Sequence, residues 1–222
     1  MIEIPSFNEL IEKSIVNNWD KDALTDFKGA TLQYHDVARK IEKLHIMFES
    51  SGVQRGDKIA LCGRNSSNWA VAFLATLTYG AVAVPILHEF TADQIHNIVN
   101  HSEAKLLFVG DYVATIIDQT KMPDLEGIIY IPDYSLVVSR TDKLTYAREH
   151  LNAMFGEKYP KFFRKEHVHY YREQSPEELA LINYTSGTTG FSKGVMIPYR
   201  AMWSNYDFAM TAVAKHIKKG DN

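Results

Sequence analysis

The residues best suited to chemistry lie together near the carboxyl end, in Tyr184-Thr185-Ser186-Gly187-Thr188-Thr189-Gly190-Phe191-Ser192-Lys193-Gly194. Glycine permits positive φ and close backbone approach. Successive backbone N–H groups can then form a concave nest for phosphate oxygens. Hydroxyls add neutral donors, and a lysine adds a mobile point charge. An apolar run, Leu179-Ala180-Leu181-Ile182, comes before the stretch, and another, Val195-Met196-Ile197, follows it. A loop of this composition between two strands is built to hold an anion. The candidate contacts are Thr185, Ser186, Gly187, Thr188, Thr189 and Gly190, with Lys193 as the candidate catalytic cation. The plain alternative is a Ser/Thr/Gly surface linker. A tyrosine and a lysine set between two apolar runs argue against it.

Spacing separates the anion-binding motifs. The common P-loop, G-x-x-x-x-G-K-[ST], fails twice. Ser192 stands five residues after Gly187, and Gly194 follows Lys193 where a magnesium-binding hydroxyl belongs. Val195 to Pro198 also reads as strand, not as the helix a P-loop enters. A dinucleotide G-x-G-x-x-G fails because position 189 is Thr. A hydrolase nucleophile elbow, G-x-S-x-G, is absent around Ser186.

Other chemically capable residues read more simply. His167 and His169 would share a strand face, but no third metal ligand stands nearby, so solvated histidines are the better reading and no metal site is assigned. His96 and His101 fall on different helical faces and read as ordinary. Arg55-Gly56-Asp57 fits a turn before a strand rather than an adhesion tripeptide. Lys161-Phe162-Phe163-Arg164-Lys165 is basic and aromatic. It offers a peripheral membrane contact, although a solvated loop that packs its aromatics is favoured. Cys62, the only cysteine, sits in an apolar strand and reads as core.

The elements that position the loop follow from periodicity. Phe7 to Val16 has helical spacing, and Thr31 to Tyr34 reads as a short strand. Val37, Ile41, Leu44 and Phe48 line a helix that ends near Gly52. A strand at Lys58 to Cys62 follows. Next comes an apolar helix from Asn68 to Tyr79, capped by Ser66 or Ser67 and closed by Gly80 in the left-handed conformation. Ala81 to Ile86 is a second strand. Thr91 and Gln94 form a capping box before a helix with Ile95, Ile98 and Val99. Strands at Lys105 to Val109 and Gly127 to Ile131 flank a helix near Val113 to Gln119. One helix is expected around Leu144 to Phe155, and another from Tyr199 with Met202, Tyr206, Met210, Val213 and Ile217 on one face. Alternation of this kind predicts α/β units: a mostly parallel sheet with helices on both faces.

Composition bounds the function. With 222 residues, 45% hydrophobic and 23% charged, the chain is an ordinary globular mixture. A net charge of −3 gives no electrostatic case for nucleic acid. One cysteine excludes a disulfide framework and fits a reducing, cytoplasmic setting. The start, Met1-Ile2-Glu3-Ile4-Pro5, lacks the basic and apolar regions of a secretion signal.

The loop resembles the phosphate loop of the adenylate-forming enzymes, [YF]-[TS]-S-G-[TS]-T-G-x-P-K-G-V. The match runs from Tyr184 through Gly190 and resumes at Lys193, Gly194 and Val195. Ser192 replaces the usual proline, which removes a fixed φ before the lysine. The resemblance extends in order from Thr31 to Gly110, through Arg55-Gly56-Asp57, Asn65-Ser66, the Trp69 helix and Gly80-Ala81-Val82-Ala83-Val84-Pro85. With Glu178 to Tyr206 it covers about half the chain; residues 111 to 177 match loosely. It implies that residues 1–222 are the N-terminal portion of an AMP-binding domain. The acid pocket, magnesium-binding glutamate, ribose-binding aspartate and hinged C-terminal domain are expected beyond residue 222. It also implies a reaction that joins a carboxylic acid to ATP, with Mg2+, to give acyl-AMP and pyrophosphate, followed by thiol attack by coenzyme A. The Thr188-Thr189 pair and the Val195-Met196 continuation lean toward acyl-CoA synthetases, among which the chain most resembles the long-chain fatty-acid branch. The rivals are an enzyme that loads a carrier protein, a fragment that only binds nucleotide, and a degenerate homologue. Oligomeric state is not legible.

Overall fold

The computed structural model describes residues 5–185 and 193–214. Helix α1 (Phe7–Asn17) begins where the Ser6 hydroxyl accepts the Glu9 N–H. Strands β1 (Asp22–Thr25) and β2 (Thr31–Gln33) form a separate antiparallel ribbon. Helix α2 (Tyr34–Ser51) ends at Gly52, whose φ of 90° is the left-handed closure expected there. Then β3 (Lys58–Cys62), α3 (Ser67–Tyr79), β4 (Val82–Ile86), α4 (Ala92–His101), β5 (Ala104–Val109), α5 (Asp111–Ile116) and β6 (Gly127–Tyr130) alternate. Strand β7 (Leu136–Ser139), helices α6 (Asp142–Glu149) and α7 (Leu151–Lys158), strands β8 (Leu179–Thr185) and β9 (Lys193–Pro198), and helix α8 (Tyr199–Phe208) complete the chain.

Seven strands make the main sheet in the order β7-β6-β5-β3-β4-β8-β9. The pairs from β6 to β8 are parallel, while the two edge strands pair antiparallel. Side chains alternate faces along a strand, and the core divides accordingly. Ile59, Leu61, Leu106 and Phe108 point into one cluster with α2 and α3. Ala60, Cys62, Leu107 and Val109 point into the other with α4 and α5. The sheet is therefore mostly parallel and covered by helices on both faces.

Several expectations need correction. Strands β1 and β7 were not anticipated. The helix expected at Val113 to Gln119 is the short α5 followed by a 3-10 turn at Gln119–Lys121. The single helix expected at Leu144 to Phe155 is two, because His150 leaves helical geometry with ψ 7° while its ring stacks on Tyr146 at 4.1 Å. The apolar face expected on α8 is only partly covered. Tyr206 and Met210 are exposed, and the chain widens into a π-turn at Ala209–Val213 that breaks the 3.6-residue stripe. Ile217 lies outside the described residues.

Candidate functional site

In an open α/β sheet, ligands bind outside the carboxyl ends of the strands, where neighbouring strands send their connections in opposite directions. Here β3 passes to β4 on one side, and β5 passes to β6 on the other. Gly63 and Gly110 follow these two strands and face each other. A Cβ on Gly63 would lie 3.1 Å from the Gly110 nitrogen and 3.2 Å from its Cα. Glycine at both positions lets the two backbones approach and leaves a cleft of about 480 Å³ lined by Arg64, Asn65, Asn68, His88 and Asp111, among others. The Asp26 carboxylate accepts the Ser67 N–H at 2.7 Å, and the Ser66 hydroxyl accepts that of Trp69. The start of α3 is thus already capped. The Asp111 carboxylate accepts the Tyr130 hydroxyl. Sequence reasoning did not single out this cleft; the Gly-x-x-Ser cap after β3 was its only trace.

The phosphate-loop candidate leaves the same carboxyl edge, because β8 runs parallel to β4 through Ala83 and Leu181. Its two ends are described. Thr185, the last residue of β8, pairs with Lys193, the first of β9, and both are exposed. One step inward, Tyr184 pairs with Gly194. Tyr184 is buried, and its phenol is held above the ordinary value by desolvation. Its hydroxyl lies 2.6 Å from His101 Nδ1 at the end of α4. Ser186, Gly187, Thr188, Thr189 and Gly190 lie outside the described residues. The structure thus places Thr185 and Lys193 side by side at the loop's root, and gives His101, which the sequence left as ordinary, a partner in Tyr184.

The remaining candidates have structural work. Among the described residues, no group of three or more His, Cys, Asp or Glu side chains converges as a metal site. His167 Nδ1 accepts the Arg164 N–H, and His96 Nε2 accepts that of Asp118. Asp57 pairs with Lys105 at 3.0 Å, and Arg55 lies 4.4 Å over the Tyr171 ring, so both charged side chains of the Arg-Gly-Asp turn have partners within the chain. Phe163 is buried among Trp19, Phe155 and Tyr159, whereas Phe162 is 70% exposed. Burial pushes the Cys62 thiol up to about 12, leaving it inert. Among the described residues, no helix is long and apolar enough to cross a membrane.

A mostly parallel sheet, a switch-point cleft and a glycine-hydroxyl-lysine hairpin at the same edge define a nucleotide-type α/β protein. The model of the AMP-binding enzyme family matches residues 11–221, so this chain belongs to that family. It is 27% identical over 164 residues to the long chain acyl-CoA synthetase 3 of Arabidopsis thaliana, spanning 74% of this chain and 24% of that protein. It is 25% identical over 180 residues to the fatty acid–[acyl-carrier-protein] ligase ScoC of Streptomyces coeruleorubidus, spanning 81% and 30%. The solved structure of a long-chain-fatty-acid-CoA ligase from Archaeoglobus fulgidus matches with a TM-score of 0.73 at 19% identity, over 99% of this chain and 41% of that one. This last is a likeness of fold. The chain spans about a third or less of the length of these curated relatives.

Proposed function

We propose that residues 1–222 are the N-terminal portion of a ligase that activates a carboxylic acid with ATP and passes the acyl group to coenzyme A. The hairpin root carries this reading: Tyr184 to Gly194 keeps the adenylate-forming spacing, and Thr185 and Lys193 sit opposite each other at the ligand-binding edge of the sheet. In such a reaction one anion attacks another, and the pyrophosphate leaving group gathers negative charge. Donors aimed at that charge lower the barrier. Lys193 supplies charge, Thr185, Ser186, Thr188 and Thr189 supply hydroxyls, and Gly187 and Gly190 supply backbone N–H. The acid itself is the nucleophile, so the loop needs none. Magnesium would share the phosphate charge. The family resemblance places the glutamate that would hold it beyond residue 222.

The acid we propose is a long-chain fatty acid, which the named synthetase relative supports. A carrier-protein acceptor is the second reading, favoured by the acyl-carrier-protein ligase among the relatives. We place the protein in the cytoplasm. Mass spectrometry of products from the full-length protein, given ATP, palmitate and either coenzyme A or a carrier protein, separates the two readings. Palmitoyl-CoA is expected; acylated carrier protein without palmitoyl-CoA would replace the first reading with the second.

A further inference from the structure

We propose that His101 is a positioning residue for the phosphate loop, holding Tyr184 and through it both ends of the hairpin that carries Thr185 and Lys193. The inference rests on the reading of that loop as a phosphate cradle. Tyr184 is clamped on two sides. On one, its hydroxyl meets His101 Nδ1 at 2.6 Å, with the rings edge-on and 5.7 Å apart. On the other lies Gly194, its cross-strand partner. A Cβ built on Gly194 would stand 3.1 Å from Tyr184 Cζ, 3.3 Å from Cε1 and 2.9 Å from Ile182 Cγ2. The phenol therefore fills the space a side chain at position 194 would need, and it cannot turn without leaving His101.

The direction of the bond follows from chemistry. A buried phenol with a raised pKa keeps its proton and donates it. His101 Nδ1 accepts, which puts the ring proton on Nε2. The histidine stands on a firm base. Helix α4 opens with the Thr91–Gln94 capping box, and past its end the Ser102 hydroxyl donates to the Val99 carbonyl at 3.1 Å. Thr185 and Lys193 are the next pair outward from the clamped one. A shift of the Tyr184 ring would move the strand pair from which both candidate phosphate contacts project. His101 thus ties the loop's root to the second βα unit, 83 residues away in sequence.

The test is binding of inorganic tripolyphosphate to the 222-residue chain, by calorimetry well below the melting temperature, with melting temperatures recorded alongside. The variants are His101→Leu, His101→Gln, Tyr184→Phe and the pair His101→Leu with Tyr184→Phe. Leucine and phenylalanine are each expected to weaken binding about tenfold, the factor that ~1.4 kcal/mol gives. The double variant should bind no more weakly than the worse single one, and glutamine, which restores an acceptor, should bind within about twofold of the parent. Unchanged binding by folded His101→Leu and Tyr184→Phe overturns the positioning role, whatever their melting temperatures. So do losses that add in the double variant. Absence of binding by the parent chain instead overturns the phosphate-cradle reading on which the inference stands.

Discussion

Gly80→Ala measures how tightly the turn that launches β4 is built. Gly80 closes α3 at φ 86°, donates its N–H to Leu77 at 3.0 Å, and accepts the Gly56 N–H at 2.8 Å. A Cβ there would meet Tyr171 Cδ1 at 2.7 Å and Cγ at 2.9 Å. The ring cannot easily give way. The Tyr171 N–H donates to Thr78 at 2.9 Å, its hydroxyl donates to Glu178 at 2.8 Å, and Arg55 lies on its face. Two costs follow: about 1–2 kcal/mol for a side chain in the left-handed region, and about 1–3 kcal/mol for overpacking. Gly56 is the internal control, because its φ is 81° but nothing lies within 4 Å of its Cβ position. Gly56→Ala should bear the first cost alone. Urea denaturation should give unchanged m-values and a Gly80→Ala loss exceeding that of Gly56→Ala by about 1–3 kcal/mol. Tyr171→Ala in the Gly80→Ala background should recover part of the difference. Equal losses for the two glycines would refute the reasoning, since they would mean that the Tyr171 ring moves freely.

Other outcomes follow from the same geometry. Lys193→Ala in the full-length protein should lower acid-dependent ATP–pyrophosphate exchange by about 10²-fold, the usual effect of removing one transition-state donor. Exchange at the parental rate would remove Lys193 from the chemistry. Burial holds the His45 imidazole down at about 4, with Nε2 3.0 Å from the Ala75 carbonyl and from the Thr78 hydroxyl. Its folded pKa lies below the unfolded value near 6.5, so the unfolded chain binds the proton first and stability is lost as pH falls from about 6.5 toward 4. His45→Gln should flatten that loss by up to about 1.4 kcal/mol per pH unit in chemical denaturation, and parallel curves would contradict it. Substituting Lys161, Phe162, Arg164 and Lys165 should leave liposome co-sedimentation unchanged, as a solvated loop requires; reduced co-sedimentation would establish the membrane contact instead.

Much of the fold was legible because local signals and packing agree. Gly52 and Gly80 take the left-handed conformations that helix ends need, and Ser66 and the Thr91–Gln94 pair cap α3 and α4. The buried strands β3 to β6 announced themselves as apolar runs. Strand β1 did not, since Asp22 to Thr25 is held by its ribbon partner across an irregular register. Strand β7 depends likewise on pairing with β6. The break at His150 is a local change of backbone angle, φ −99° and ψ 7°, with no glycine or proline beside it to mark it in the sequence. The apolar Val195-Met196-Ile197 run reads as a strand, but its apolar character does not show that β9 is a sheet edge with Val195 and Met196 half exposed or more. The loop's motif was readable from spacing, whereas the contact at its root was not, because His101 and Tyr184 meet only through the sheet. The Gly63–Gly110 cleft also needs two strands to be brought side by side.

The central claim is that this chain serves an acid-activating reaction in which ATP loses pyrophosphate. Acid-dependent ATP–pyrophosphate exchange measures that step without a thiol acceptor. The full-length protein is predicted to exchange label with a long-chain fatty acid present and to show none without acid, while the isolated 222 residues show none under either condition. Exchange by the isolated residues would contradict the placement of essential groups elsewhere in the protein, and no exchange by the full-length protein over a broad acid panel would contradict the claim itself.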